Sequence, residues 1–388
     1  MEIVKSFSGL NNISDPLRLG LGWLAQADNV NITDTGALTK RAGYTRVIAG
    51  TFAAAYSVED FSRMYVVDNG TLKVMQGTTT LDLKTLVSPA PMYWAEINNQ
   101  VFYNNGIDRG IILPDNSVLV WDWPTSAAPR VAAVTGSLPA GLYQVRCTLS
   151  LPDGRETGSG EVGEIALVEG QALQVSDIEV RAGHITNVYI APANSEIYQL
   201  AFSSTGATAF VWNSSPDELG VDLLNSFFDP LPLGAGAIQA WKGRLYAAQY
   251  LPSENQTVVW FSEPLGFHLF NLNSNFFMVP GKVLMLAPHD VALLIGTDQR
   301  IHTYSGEKLE QLAPYGVVPG QHWSKDDGRI LFWSKRGLCA ALPFSNLTET
   351  QVSVAPGASA GGTIVRSHGQ KRYVVALQQG GSAFNSYV

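Results

Sequence analysis

The feature that most limits the fold is a phrase that recurs along the chain: two short β-rich runs joined by a tight turn. "RMYVVDNGTLKVM" at 63–75 sets an Asn-Gly pair between two apolar runs. That dipeptide suits a two-residue hairpin turn, where both central positions need positive φ. "NQVFYNNGIDRGIIL" at 99–113 repeats the shape with a longer turn, and 243–263, 291–306, 328–343 and 371–388 supply four more. Adjacent phrases lie on the order of 40 residues apart, the period of a propeller blade. A single hairpin cannot bury its faces in water, so repetition requires the phrases to stack on one another. The expected fold is all-β: a β-propeller of about six blades, with an open multi-sheet β protein as the alternative.

The period lapses over 126–233. "AGLYQVRCTLSLPDGRETGSGEVGEIALV" starts with an alternating strand, turns at Pro152-Asp153-Gly154 and resumes, and "ITNVYIAPANSEIYQLAFSSTGATAFVW" adds two or three further strands. Six or seven short alternating strands in this space suggest an inserted β-sandwich of the immunoglobulin or fibronectin III kind. Its entry, "WPTSAAPR", and its exit, "SSPDELGVDLLNSFFDPLPLG", are rich in Pro, Ser and small residues, as befits a chain leaving and rejoining a scaffold. The expected division is 1–125 for an N-terminal clasp and the first blades, 126–233 for the sandwich, and 234–388 for the remaining blades.

Charge narrows the function. The 388 residues carry a formal net charge of -8 with no run of Lys or Arg, which argues against a surface that grips a phosphate backbone. The two cysteines, Cys147 and Cys339, are far apart in sequence, so they suit buried thiols rather than a disulfide framework or zinc knuckle. "MEIVKSFSGLNN" has no apolar h-region and nowhere do 18 uncharged apolar residues run together, so neither a signal peptide nor a membrane segment is expected. The expected place of synthesis is a cytoplasm.

Near the N-terminus, "VNITDTGALTKRAGY" reads as a further hairpin: Val30 and Ile32 alternate, Asp34-Thr35-Gly36 turns, and Leu38 resumes. Placed before the first blade, it would pair with the last blade as a clasp and remove exposed sheet edges. The surrounding run, "FSGLNN…DP.RLG.G.LAQADNVNITDTGALTKRAGYTRV" from Phe7 to Val47, resembles the start of tailed-bacteriophage virion proteins of the tail hub, tail nozzle and tail-stabilisation type. Asn29, Asp34, Gly36, Lys40, Arg41 and Gly43 match that family's pattern, and Ala42 stands where the pattern has proline. The resemblance implies a β-propeller assembled with copies of itself into a ring in the virion tail, made in the host cytoplasm. It further implies contacts with other tail or connector proteins and fibres, and DNA passing through without sequence-specific binding. A protein that adsorbs to host-surface glycan is the alternative.

No catalytic set, cofactor or metal site is expected. The six histidines, His184, His268, His289, His302, His322 and His368, show no ligand spacing, and no nucleophile elbow, P-loop or dinucleotide fingerprint is present. Glu156, Glu161 and Glu164 fall in a Gly-rich stretch; paired acids run glycoside hydrolysis when held about 5–10 Å apart, but loop acids are usually solvated. Asp326-Asp327-Gly328 reads as a turn, not a cation loop. The candidate interface residues are Arg41, Trp121, Trp123, Phe267, Phe270, Phe276 and Phe277. Arg41 would bridge a neighbouring subunit or the clasp. Trp121 and Trp123, alternating on "VLVWDWP", either pack between sheets or form a partner- or sugar-facing surface. The four phenylalanines of "EPLGFHLFNLNSNFFMVPG" either pack inside or form an exposed apolar patch.

Overall fold

The computed structural model describes residues 4–43, 45–367, 370–379 and 384–387. About half of them lie in strands, paired antiparallel except where Gly9–Leu10 runs parallel to Trp23–Leu24, and Pro16–Arg18 and Pro216–Glu218 form short helical turns. Six sheets follow one plan, each strand pairing with the one before it. The first comprises Phe52–Ser57, Met64–Asp68, Thr71–Gln76 and Thr79–Thr85; the second comprises Tyr93–Ile97, Gln100–Asn104, Arg109–Ile112 and Val118–Leu119. The third to sixth start at Ala235, Val283, Trp323 and Ser359, and the sixth has three strands among the described residues.

Turn chemistry explains the repetition. The central residues Asn69-Gly70, Asn98-Asn99, Lys242-Gly243 and Asp327-Gly328 all lie at positive φ, the geometry that matches a hairpin to the right-handed twist of its strands. The first strands of the first, third and fourth sheets each carry a register shift near their start, a local bend at the same place in three sheets.

Successive sheets meet face to face on apolar side chains. Tyr65, Leu72 and Val74 of the first pack against Trp94, Tyr103 and Ile112 of the second. Phe102 and Ile111 of the second meet Ile238 and Leu245 of the third. The fourth sheet shows why its strands are apolar on both faces: Leu293 and Ile295 point toward the third sheet, while Leu294 between them points toward the fifth. Val375 and Leu377 of the sixth cover Trp333 of the fifth. Among the described residues no buried cluster joins the sixth sheet to the first, and Phe52, Met64 and Val365 on their outer faces are exposed.

Between the second and third sheets the chain builds a separate seven-stranded unit. Arg130–Leu138, Gln171–Ser176 and Ala209–Trp212 form one sheet; Gly163–Leu167, Gly141–Ser150, Ile185–Ala191 and Gln199–Ser204 form the other, in that order. Tyr143, Val145, Leu173, Val188, Ile190 and Trp212 fill the space between them. The Tyr143 hydroxyl donates to the Pro139 carbonyl at 2.8 Å, fixing the corner that opens the longest strand.

The N-terminal arm, 4–48, is different. Val30–Ile32 and Leu38–Lys40 form the expected hairpin, in register Val30 to Lys40. Gly36 sits at φ +78°, and a Cβ there would lie 2.5 Å from Ser6 Cβ, because the chain crosses the turn to donate from Phe7 N to Gly36 O at 2.8 Å. Among the described residues, however, the clasp is not made by this hairpin, whose two strands pair only with each other. The tie between the ends runs through Asn12. Its amide Nδ2 donates to Ser353 O at 2.9 Å, its Oδ1 accepts from Ser353 N at 2.7 Å, and its backbone N donates to Gln351 O at 3.0 Å. One asparagine side chain thus completes a backbone-like pair with a residue 341 positions away.

Candidate functional site

The densest convergence of polar and aromatic groups lies where the seven-stranded unit leaves and rejoins the sheets. The segment Trp121-Asp122-Trp123 leaves the second sheet just after its last paired residue, Leu119. Trp121 is fully buried; its indole N–H donates to Phe267 O at 2.6 Å, and its ring meets Phe102 and Phe270 edge-on. Trp123 is also buried, stacked on His268 at 5.8 Å with the Arg155 guanidinium 5.3 Å above its ring.

Between the two tryptophans, Asp122 reaches the returning chain. Its Oδ2 accepts from Leu231 N at 2.9 Å and its Oδ1 lies 2.7 Å from Arg109 Nε, while Arg109 Nη1 donates to Leu231 O at 2.7 Å. One ion pair therefore grips both backbone groups of Leu231. Burial pushes the Asp122 carboxyl up to about 6 even though Arg109 and the Leu231 amide pull it down.

Arg155 performs the reciprocal task from the inserted unit. Its Nη1 donates to Val120 O at 2.7 Å and Trp121 O at 2.9 Å, and its Nε donates to Asp153 at 2.9 Å. His268 bonds Glu156 O at 3.0 Å through Nε2 and is held below the usual imidazole range by burial, with Arg155 adding to the effect. Glu156 Oε1 accepts from Asn187 Nδ2 and Tyr189 Oη, each at 2.9 Å, and from the Thr148 hydroxyl. The glycines that follow are there for close approach. A Cβ on Gly158 would lie 1.6 Å from Phe228 O, and one on Gly160 would lie 1.8 Å from Ser126 O, where entry and exit strands pass the loop.

A cavity of about 300 Å³ opens beside this joint, lined by Gln100, Phe102, Leu119, Arg155, Phe267 and His268 among others. Its walls mix apolar and polar groups: the Arg155 guanidinium and His268 imidazole that reach it are engaged with backbone carbonyls, and the Asp153 carboxylate is held by Arg155. The arrangement fixes one unit on another. Glu161 and Glu164 are exposed, whereas Glu156 is half-buried. Among the described residues no group of three His, Cys, Asp or Glu side chains has metal-binding geometry; His368 lies outside them. Asp326 and Asp327 are held by Lys371 of the sixth sheet.

The surface reading of the aromatics is corrected for four of six. Trp121, Trp123, Phe267 and Phe270 are interior, because the inserted unit and the loop 262–272 cover the end of the second sheet. Phe277 is half-buried and stacks on Tyr304 at 3.9 Å, while Phe276 remains 40% exposed against Trp260. Arg41 donates from its backbone to Asn29 O at 2.8 Å, and its Nε is buried without a hydrogen-bond partner among the described residues. The residues that organise the joint, Arg109, Asp122, Arg155 and His268, were not expected from sequence; a lone aspartate between two tryptophans was the available signal.

No protein family matches the sequence, and no curated protein matches it. Solved structures give faint likenesses. A chain described as the extracellular domain of a two-component system from B. thetaiotaomicron is 13% identical at a TM-score of 0.28, over 77% of this chain and 32% of that one. PorZ, a surface component of the type-IX secretion system of Porphyromonas gingivalis, is 11% identical at 0.26, over 87% and 49%. Apo AztD from Citrobacter koseri is 10% identical at 0.28, over 87% and 73%. This chain thus spans about a third and a half of the first two. At these scores the likenesses carry no argument about this protein.

Proposed function

We propose that the chain is a structural protein of a bacteriophage tail. It assembles with copies of itself into a hub, nozzle or tip ring that extends or closes the DNA conduit and docks adjacent tail proteins or fibres. In this reading the six meander sheets are the blades of a β-propeller, 126–233 is an immunoglobulin- or fibronectin III-like sandwich projecting from it, and 234–388 completes the blades. The observation that carries the reading is the fold of the segment resembling those virion proteins. Gly36, one of its matching residues, is required by the crossing of Ser6 and Phe7, and Asn12 of the same run ties the arm to residues 351–353.

The role is mechanical. The paired grips on Leu231 and on the Val120 and Trp121 carbonyls hold the inserted unit at one angle, as a docking platform requires. A net charge of -8 lets duplex DNA pass without adhesion, and the conduit runs between protomers because a propeller axis is narrow. The adsorption alternative needed Trp121 and Trp123 as a stacking platform, and both are interior. Light scattering of the purified chain over a concentration series, with imaging of large species, tests the proposal. Rings support it, and a chain that stays monomeric alone and with its neighbouring tail proteins overturns it.

A further inference from the structure

The N-terminal arm holds together without a core. Of the described residues from 4 to 57, only Gly36 is buried. Several of its large apolar side chains face solvent while the others are only half-buried: Leu17 is 95% exposed, Val47 65%, Leu21 60% and Ile13 48%. Scattered exposed apolar residues are ordinary, but several on one short segment that buries nothing of its own mark an interface.

Charge identifies the occupant. Residues 4–48 carry five basic side chains, Lys5, Arg18, Lys40, Arg41 and Arg46, against three acidic ones, on a chain whose net charge is -8. The arm is therefore positive and the remainder strongly negative. Arm against arm would be repulsive, whereas arm against body is complementary, and such a contact is heterologous and propagates head to tail. A head-to-tail contact that closes makes a ring.

We infer that residues 4–48 dock on the body of a neighbouring copy of this chain and strap consecutive copies together. This rests on the ring assembly proposed above and names the segment that makes it. Asn12 and the run into Phe52–Ser57 tie the strap to its own protomer at two points, leaving Leu17, Leu21 and the hairpin strand Leu38–Lys40 between them to reach the next one.

The test compares the unaltered chain with the double variant Leu17→Asp, Leu21→Asp and with Val168→Asp, a position on the inserted unit as exposed as Leu21. Light scattering over a concentration series should show the double variant needing at least tenfold more protein to assemble, with Val168→Asp unchanged. Raising salt should weaken assembly of the unaltered chain. Should the double variant misfold, hydrogen exchange on the unaltered chain decides: arm amides must slow at least tenfold between dilute and assembled samples. Rings that form equally well from the double variant, or arm exchange that ignores assembly, overturn the strap while leaving the ring proposal standing. A chain that is monomeric at every concentration, alone and with its neighbouring tail proteins, overturns both.

Discussion

Two segments depart from the four-strand rhythm, and they are built in opposite ways. The inserted unit encloses Tyr143, Leu173, Ile190 and Trp212 between its own two sheets, whereas the arm buries one glycine. A segment with its own core keeps its shape wherever it is placed. One without a core takes its order from whatever it lies on, here Ser353 of the same chain. Rigidity is what a projecting platform needs, and adaptability is what a strap needs.

The strongest way to break this contrast is to empty the enclosed core. Trp212→Ala should lower stability by about 3–5 kcal/mol, read as a fall in the urea midpoint. The arm should be unmoved by the loss, and a comparable drop from any arm truncation to Ala would dissolve the distinction.

The sheet body is sharpened by pH. His322 is fully enclosed, donating from Nε2 to Val318 O at 2.8 Å and accepting from Trp333 N at 3.2 Å through Nδ1. Burial lowers it to about 4. A depressed imidazole means the unfolded chain binds the proton first, so stability is lost as pH falls from 6.5 toward 4, by about 3 kcal/mol. Relative to His322→Gln, the unaltered protein should lose that much over this window. Asp122, raised to about 6, acts with the opposite sign: relative to Asp122→Asn, the unaltered protein should gain stability as pH falls from 6 to 4. Parallel denaturation curves for either pair would refute the assignment.

The smallest effects belong to the arm. Asn12→Ala removes two solvent-exposed hydrogen bonds and should cost about 1 kcal/mol, seen as faster hydrogen exchange at Ser353. Leu17→Ala should change the stability of the isolated protomer by under about 0.5 kcal/mol.

What the sequence disclosed was whatever depends on neighbours in the chain. Asn69-Gly70 and Asp327-Gly328 declare their turns because positive φ selects those residues, and the interruption between the second and third sheets shows as a loss of period. The two tryptophans misled because alternation assigns faces only within a paired strand, and both lie beyond Leu119. Gly158 and Gly160 suggested a loose acidic loop, although the reason for them is contact with carbonyls at 126 and 228. Arg109, Arg155 and His268 come from three unrelated phrases and acquire a common purpose only when the sheets meet. The clasp failed in its detail for the same reason: a side chain that imitates backbone, as Asn12 does, leaves no mark in a pattern of alternation.

The grip on Leu231 also bears on the entropy of closing the chain. The second and third sheets associate through strands on either side of the inserted unit, with Asn104 Nδ2 donating to Ala235 O at 2.6 Å across 131 positions. Closing so long a loop as flexible chain would cost about 4 kcal/mol of entropy. The folded inserted unit offsets much of that penalty, because its entry and exit lie side by side where Asp122 and Arg109 hold Leu231.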